Sequence, residues 1–140
     1  MAYCTQSDIE EEISQAVLVE LTDDEGLGVV EAGRVTKAIG AADAEINSYL
    51  AQRYSVPMTS GLELLKDLCI NLALERLYGR RPNSLPEDRK DRIQAVRRLL
   101  SDIAVGKATL GETPPPQVDS GGSTFSADER NFTRSKMEGF

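Results

Sequence analysis

The run Thr22-Asp23-Asp24-Glu25-Gly26-Leu27-Gly28-Val29-Val30-Glu31 mixes carboxylates with turn formers and is the first place where this chain could hold a metal ion. With Gly28 set on the glycine of a calcium loop, Asp23 falls at position 1, Glu25 at position 3 and Val30 at the apolar position. Position 5 is then Leu27 and position 12 is Arg34, where calcium requires an oxygen ligand and a bidentate Glu. An apolar side chain and a cation at those places exclude tight binding and leave a plain acidic turn. Cys4 and Cys69 have no metal-ligand spacing and make no disulfide framework, and Cys69 falls in the apolar pattern of a helix as a small core residue. Adjacent carboxylates at Asp23/Asp24 and Glu87/Asp88 stand at turns and helix starts, where they complement the helix dipole. Gly26-Leu27-Gly28 lacks the third glycine and the preceding strand of a dinucleotide fingerprint. The chain has no His, which removes Ser-His and Cys-His nucleophile pairs and His-ligated zinc. No catalytic, cofactor or metal site emerges, and the expectation is a protein that is not an enzyme.

Two arginine pairs, Arg80/Arg81 and Arg97/Arg98, invite a different chemistry. They suit a solvated face, salt bridges to a neighbouring subunit, or phosphate contact. The 140 residues carry a net charge of −7, which argues against a general nucleic-acid binder. The charge is uneven: residues 1–61 sum to −8, residues 62–110 to +3 and residues 111–140 to −2. A chain with one acidic and one basic part can stack on copies of itself, so Arg80, Arg81, Arg97 and Arg98 are expected as inter-subunit contacts.

The last stretch, Phe125 to Phe140, places two of the three phenylalanines and a Met within its final nine residues. Phe132, Met137 and Phe140 have the character of anchors for pockets on another chain, with Phe125 upstream and Arg134 and Lys136 as polar rim.

The elements that must position these groups are helical. Hydrophobic residues make up 40% of the chain and aromatics 5%, a composition suited to a core of Leu, Ile, Val and Ala. Ser7, with Glu10 three residues on, is predicted to cap a first helix carrying Ile9, Ile13, Ala16 and Val17, with a short piece from Val17 to Leu21. Glu31 to Ser55 is the longest predicted helix, its stripe being Val35, Ala38, Ile39, Ala42, Ile46, Tyr49 and Leu50, with Asp43 off it and Pro57 ending it. Leu62 to Tyr78 follows, apolar on more than one side, hence either central in its domain or buried by a neighbouring subunit. Gly79 is expected to close it in the left-handed conformation. A last helix runs from Pro86 to about Val105, with Ile93, Val96, Leu99, Leu100 and Ile103 inward and Gly106 closing it. Beyond Gly111, Pro114-Pro115-Pro116 and Gly121-Gly122-Ser123 interrupt all periodicity. The expected organisation is an all-α bundle of about four helices over 1–110 with an extended C-terminal arm over 111–140. The start of the chain has neither the basic residues nor the apolar run of a signal peptide, and no window approaches a membrane span, so no membrane partner is expected.

Several short motifs, in this order and spacing, resemble the head–tail adaptor (head-completion) family of Mu-like bacteriophages and prophages. They are Met1-Ala2-Tyr3, Leu21-Thr22-Asp23, Ala44-Glu45-Ile46-Asn47-Ser48-Tyr49-Leu50 and Arg53-Tyr54-Ser55-Val56-Pro57. Arg76-Leu77-Tyr78, Ile103-Ala104-Val105-Gly106-Lys107, Leu110-Gly111, Phe132-Thr133-Arg134 and Gly139-Phe140 continue the series. Members of that family often carry a fuller acidic loop after Leu-Thr-Asp, from which Leu27 and Arg34 depart. The resemblance implies a homo-oligomeric ring in the virion neck, beneath the portal protein, made in the host bacterial cytoplasm. A tail-side connector or tail terminator protein would lie below it, DNA would pass through without sequence-specific binding, and the arms would reach neighbouring chains. The residues also admit another reading, a helical nucleic-acid-binding module using the arginines of the third and fourth helices.

Overall fold

A seventeen-residue helix that is apolar on several sides needs cover from several neighbours, and that need arranges the other elements. A computed structural model describes residues 1–82, 85–111 and 113–114, and within them the chain forms five α-helices and no strand. They are α1 (Gln6–Glu12), α2 (Gln15–Thr22), α3 (Ala32–Leu50), α4 (Leu62–Tyr78) and α5 (Glu87–Ala104). α3 packs most extensively on α4, α5 packs on both, and α1 and α2 cover part of what remains of α4. Leu65, Leu68, Cys69, Leu72, Ala73, Leu74 and Leu77 of α4 are all buried. They meet Val35, Ala42, Ile46 and Leu50 of α3, Ile93, Leu100 and Ile103 of α5, and Ile9 and Leu18 of the two short helices in one core. Leu64 stays exposed and Ile70 and Leu99 are half-buried, so the inward faces are narrower than the apolar pattern.

The first capping box sits two residues earlier than expected. Thr5, not Ser7, caps α1: its hydroxyl accepts the Asp8 N–H at 3.4 Å, and the Asp8 carboxylate accepts the Thr5 N–H at 2.8 Å. The short second piece is a helix of its own, capped by Ser14. α3 ends at Leu50 rather than Ser55, because the chain turns there to bring Tyr54 and Met58 into the core. Gly79 is right-handed at φ −63°, so the chain keeps turning into Arg80 and Arg81. Gly106 does take φ +84°, and a Cβ there would collide with the Arg53 guanidinium at 2.3 Å. Gly61 takes φ +65° before α4, with the Leu110 carbonyl 3.3 Å from where a Cβ would stand. Leu110, buried, thus closes the body next to the α3–α4 connector.

The largest correction concerns Asp43. Periodicity places it off the apolar stripe, yet it is buried, because the N-terminal segment lies across it. Asp43 Oδ1 accepts the Tyr3 N–H at 3.0 Å, and the Tyr3 hydroxyl donates to Asn47 Oδ1 at 2.6 Å while accepting the Met58 N–H at 3.0 Å. Burying a carboxylate is tolerated when hydrogen bonds replace its water.

Leu72→Ala is expected to cost about 3 kcal/mol in urea unfolding, since Leu72 is fully buried and its truncation leaves a cavity in the core. Lys66 and Thr5 hold the Asp8 carboxyl down to about 2, from an ordinary 3.8. The stability this contributes is complete above about pH 4 and is lost as the pH falls through about 2. The stability difference between the wild type and Asp8→Asn, followed by thermal unfolding against pH, is expected to shrink over that window.

Candidate interaction surface

α2 ends with carbonyls that no helical N–H can reach. Arg80 Nη1 donates to the Leu21 carbonyl and Arg81 Nη2 to the Glu20 carbonyl, each at 2.8 Å. Two cations at a helix C-terminus also complement its dipole. The right-handed Gly79 makes this reach available, because it continues the turn of α4 instead of reversing it. Arg80 further pairs with Asp24, as does Arg34, and Arg81 lies 3.8 Å from the same carboxylate. The Arg34 hydrogen bond and then that of Arg80 hold the Asp24 carboxyl below its usual range. Asp23 turns the other way and accepts the N–H groups of Gly28 at 2.7 Å and Leu27 at 3.1 Å, which lower it in turn. Gly26 and Gly28, both at positive φ, allow this fold of the loop. Its carboxylates thus bind backbone and guanidinium groups, and among the described residues no set of three or more metal-ligating side chains converges.

A second charged node joins the three long helices. Arg97 of α5 grips Glu75 of α4 in a fork, at 2.8 and 2.6 Å, and its Nε donates to Glu45 of α3 at 2.9 Å. Arg76 Nη2 reaches the other oxygen of Glu45 at 3.0 Å. The Glu75 and Glu45 hydrogen bonds push the Arg97 guanidinium further up. At the other end of α5, Arg89 and Arg92 approach Glu12 of α1 at 3.6 and 3.4 Å, and Arg89 stands 5.9 Å from the Tyr78 ring centre. Arg98 is exposed and forms no ion pair among the described residues. Three of the four arginines singled out in the sequence therefore have partners in their own chain, and most of those partners belong to its acidic half.

Two concave places accompany these nodes. Arg34, Lys37, Arg76 and Arg80 rim a cleft of about 380 Å³ floored by Ala38, Ala41 and Leu77. Between α4 and α5, Leu64, Leu68, Val96 and Leu99 line an apolar groove of about 350 Å³, with Asp67, Asn71 and Arg92 at its edge. Reading the sequence alone missed Glu45, Glu75 and the cleft. They become neighbours only through the crossing of α3, α4 and α5, and the one hint was that Glu45 lies off the α3 stripe. Phe125, Phe132, Arg134, Lys136, Met137 and Phe140 lie outside the described residues. No helix among the described residues is long and apolar enough to cross a membrane.

A family model described as Bacteriophage Mu, Gp36 matches residues 3–127 of the chain. No curated protein matches it.

Arg97→Ala is expected to cost about 1–2 kcal/mol, and a double-mutant cycle with Glu75→Ala to give a coupling near 1 kcal/mol that shrinks in 1 M salt. Arg98→Ala is expected to leave stability within about 0.5 kcal/mol of the wild type.

Proposed function

The chain belongs to the bacteriophage Mu Gp36 family, and on that premise we propose that it is a structural head–tail connector subunit rather than an enzyme. In this reading, copies of the helical body form a ring in the neck of the virion, between the portal and the tail-side connector or terminator. DNA passes through the channel. The C-terminal arm of each copy docks on a neighbouring chain through Phe125, Phe132, Met137 and Phe140, with Arg134 and Lys136 at the rim.

The observation that supports this most is where the arginines point. Arg80, Arg81 and Arg97 spend their donors on carbonyls and carboxylates of their own body. A phosphate would have to displace Glu75 and Glu45 from Arg97, within a chain whose net charge already repels it. That weakens the nucleic-acid-binding alternative and favours a body that lets DNA slide past. It also divides the work: the body is held together by charge and core, and joining falls to apolar side chains. Of the arginines considered for inter-subunit contact, the exposed Arg98 keeps that role directly, while Arg80, Arg81 and Arg97 hold the surface in shape for it. The arm's aromatic anchors have a suitable receptor in the apolar α4–α5 groove of an adjacent copy, where Asp67 would face Arg134 or Lys136.

Light scattering on size-exclusion fractions tests this. The full chain is expected as a ring, or as a monomer that assembles only when the portal is added. Removing residues 120–140 is expected to leave helical circular dichroism unchanged and abolish assembly, and Leu64→Asp, at an exposed position, to weaken it at least tenfold. Assembly that survives the truncation would contradict the arm's role. A gel shift with duplex DNA at moderate salt would revive the nucleic-acid reading.

A further inference from the structure

Cys4 and Cys69 are sixty-five residues apart in sequence, and the fold brings them together. Both are buried, at 2% and 0% exposure, and their sulfurs lie 2.8 Å apart. A disulfide bond is about 2.05 Å long, so closure asks for less than about 1 Å of movement. Cys69 is fixed in the middle of α4, whereas Cys4 lies on the terminal segment ahead of α1. Tyr3, next to Cys4, is clamped at both ends, by Asp43 and by Asn47 and Met58, which holds the Cys4 sulfur in place. Asp43 Oδ1 also accepts the Cys69 S–H at 3.2 Å.

We propose that Cys4 and Cys69 form a modification site, an oxidisable dithiol that closes to an intramolecular disulfide when it meets hydrogen peroxide. Two thiols and one peroxide give one disulfide and two waters. The Cys4 sulfur loses its proton and attacks one peroxide oxygen, the O–O bond breaks, and the departing hydroxide takes that proton as water. Cys4 is then a sulfenic acid. The Cys69 sulfur attacks the Cys4 sulfur, the S–O bond breaks, and the second hydroxide leaves as water with the Cys69 proton, passed through Asp43. Cys69 is fixed within α4 and hydrogen-bonded to Asp43, whereas Cys4 lies on the terminal segment, so Cys4 meets the oxidant first and Cys69 resolves it. Transient opening of the terminal segment, in which the Tyr3 hydrogen bonds break while α4 stays folded, would admit the small oxidant to Cys4. Reducing cytosol keeps the pair as thiols, and an oxidising medium closes it and ties the chain's start to its central helix. The inference stands on the fold alone and does not need the connector role.

The test treats the purified full chain with hydrogen peroxide and reads intact mass, thiol count and a tryptic map under non-reducing conditions. The expected result is loss of both thiols together, a mass lower by two hydrogens, and a cross-link between peptides 1–34 and 67–76. The thermal midpoint should rise by about 10 °C and return with dithiothreitol, because the closed loop restricts the unfolded chain. Cys4→Ser should show neither cross-link nor rise. Added oxygen atoms, two thiols still titrating, or disulfides found only between chains would overturn the proposal, and the cross-linked peptide decides it even if Cys4→Ser folds poorly.

Discussion

Leu65 and Leu74 are nine residues apart on α4 and point to opposite sides of it, and both are buried. With Leu68, Leu72 and Leu77 also buried, the buried surface of this helix extends over more than one side, and a strip through Leu64, Asp67, Asn71 and Glu75 stays partly open to water. Each of the other helices can be understood as a partial answer. α3 and α5 carry ordinary one-sided stripes and cover the two larger faces. α1 and α2 are too short to be stable alone and exist because α4 offers them a surface to lie on. The N-terminal segment completes the cover by laying Tyr3 and Cys4 across the α3–α4 seam.

Charge follows the same geometry. The acidic first half and the basic second half are matched within one chain, since the packing of α3, α4 and α5 on one another brings Glu45, Glu75 and Arg97 to one spot. Each surface pair adds little by itself, but a forked guanidinium joining three helices fixes their mutual register. Arg80, Arg81 and Arg97 are therefore surface ties within the chain. The exposed apolar places of the body are the α4–α5 groove with Leu64, and Leu27 and Val29 standing out from the acidic loop.

Much of this could be read from the sequence, and where it could not the reasons are specific. Periodicity marked the stripes of α3 and α5 because each sees one neighbour side, and it left α4 open between a central position and cover by another subunit. The fold resolves that in favour of cover from its own chain. Asp43 was misjudged, and the burial of Cys4 went unread, because no pattern in residues 1–5 announces that this segment docks on α3. Glycine signals proved uneven. Gly106 closes α5, as expected, and does so in the left-handed form, while Gly79 does not take that form and the chain continues toward the end of α2 through Arg80 and Arg81. In the acidic loop, where Leu27 and Arg34 depart from a calcium ligand set, Asp23 accepts the backbone N–H groups of Leu27 and Gly28.

The claim that α4 is enclosed by its own chain, before any neighbour arrives, is tested most directly by hydrogen exchange on the isolated, unassembled subunit. Amides within Leu65–Leu77 should be the slowest in the molecule and exchange only on global unfolding, with those of α1 far faster. Amides of α4 that exchange as quickly as those of α1 in the lone subunit, and slow down only on assembly, would mean that its cover comes from a neighbour, and the account given for the body would be wrong.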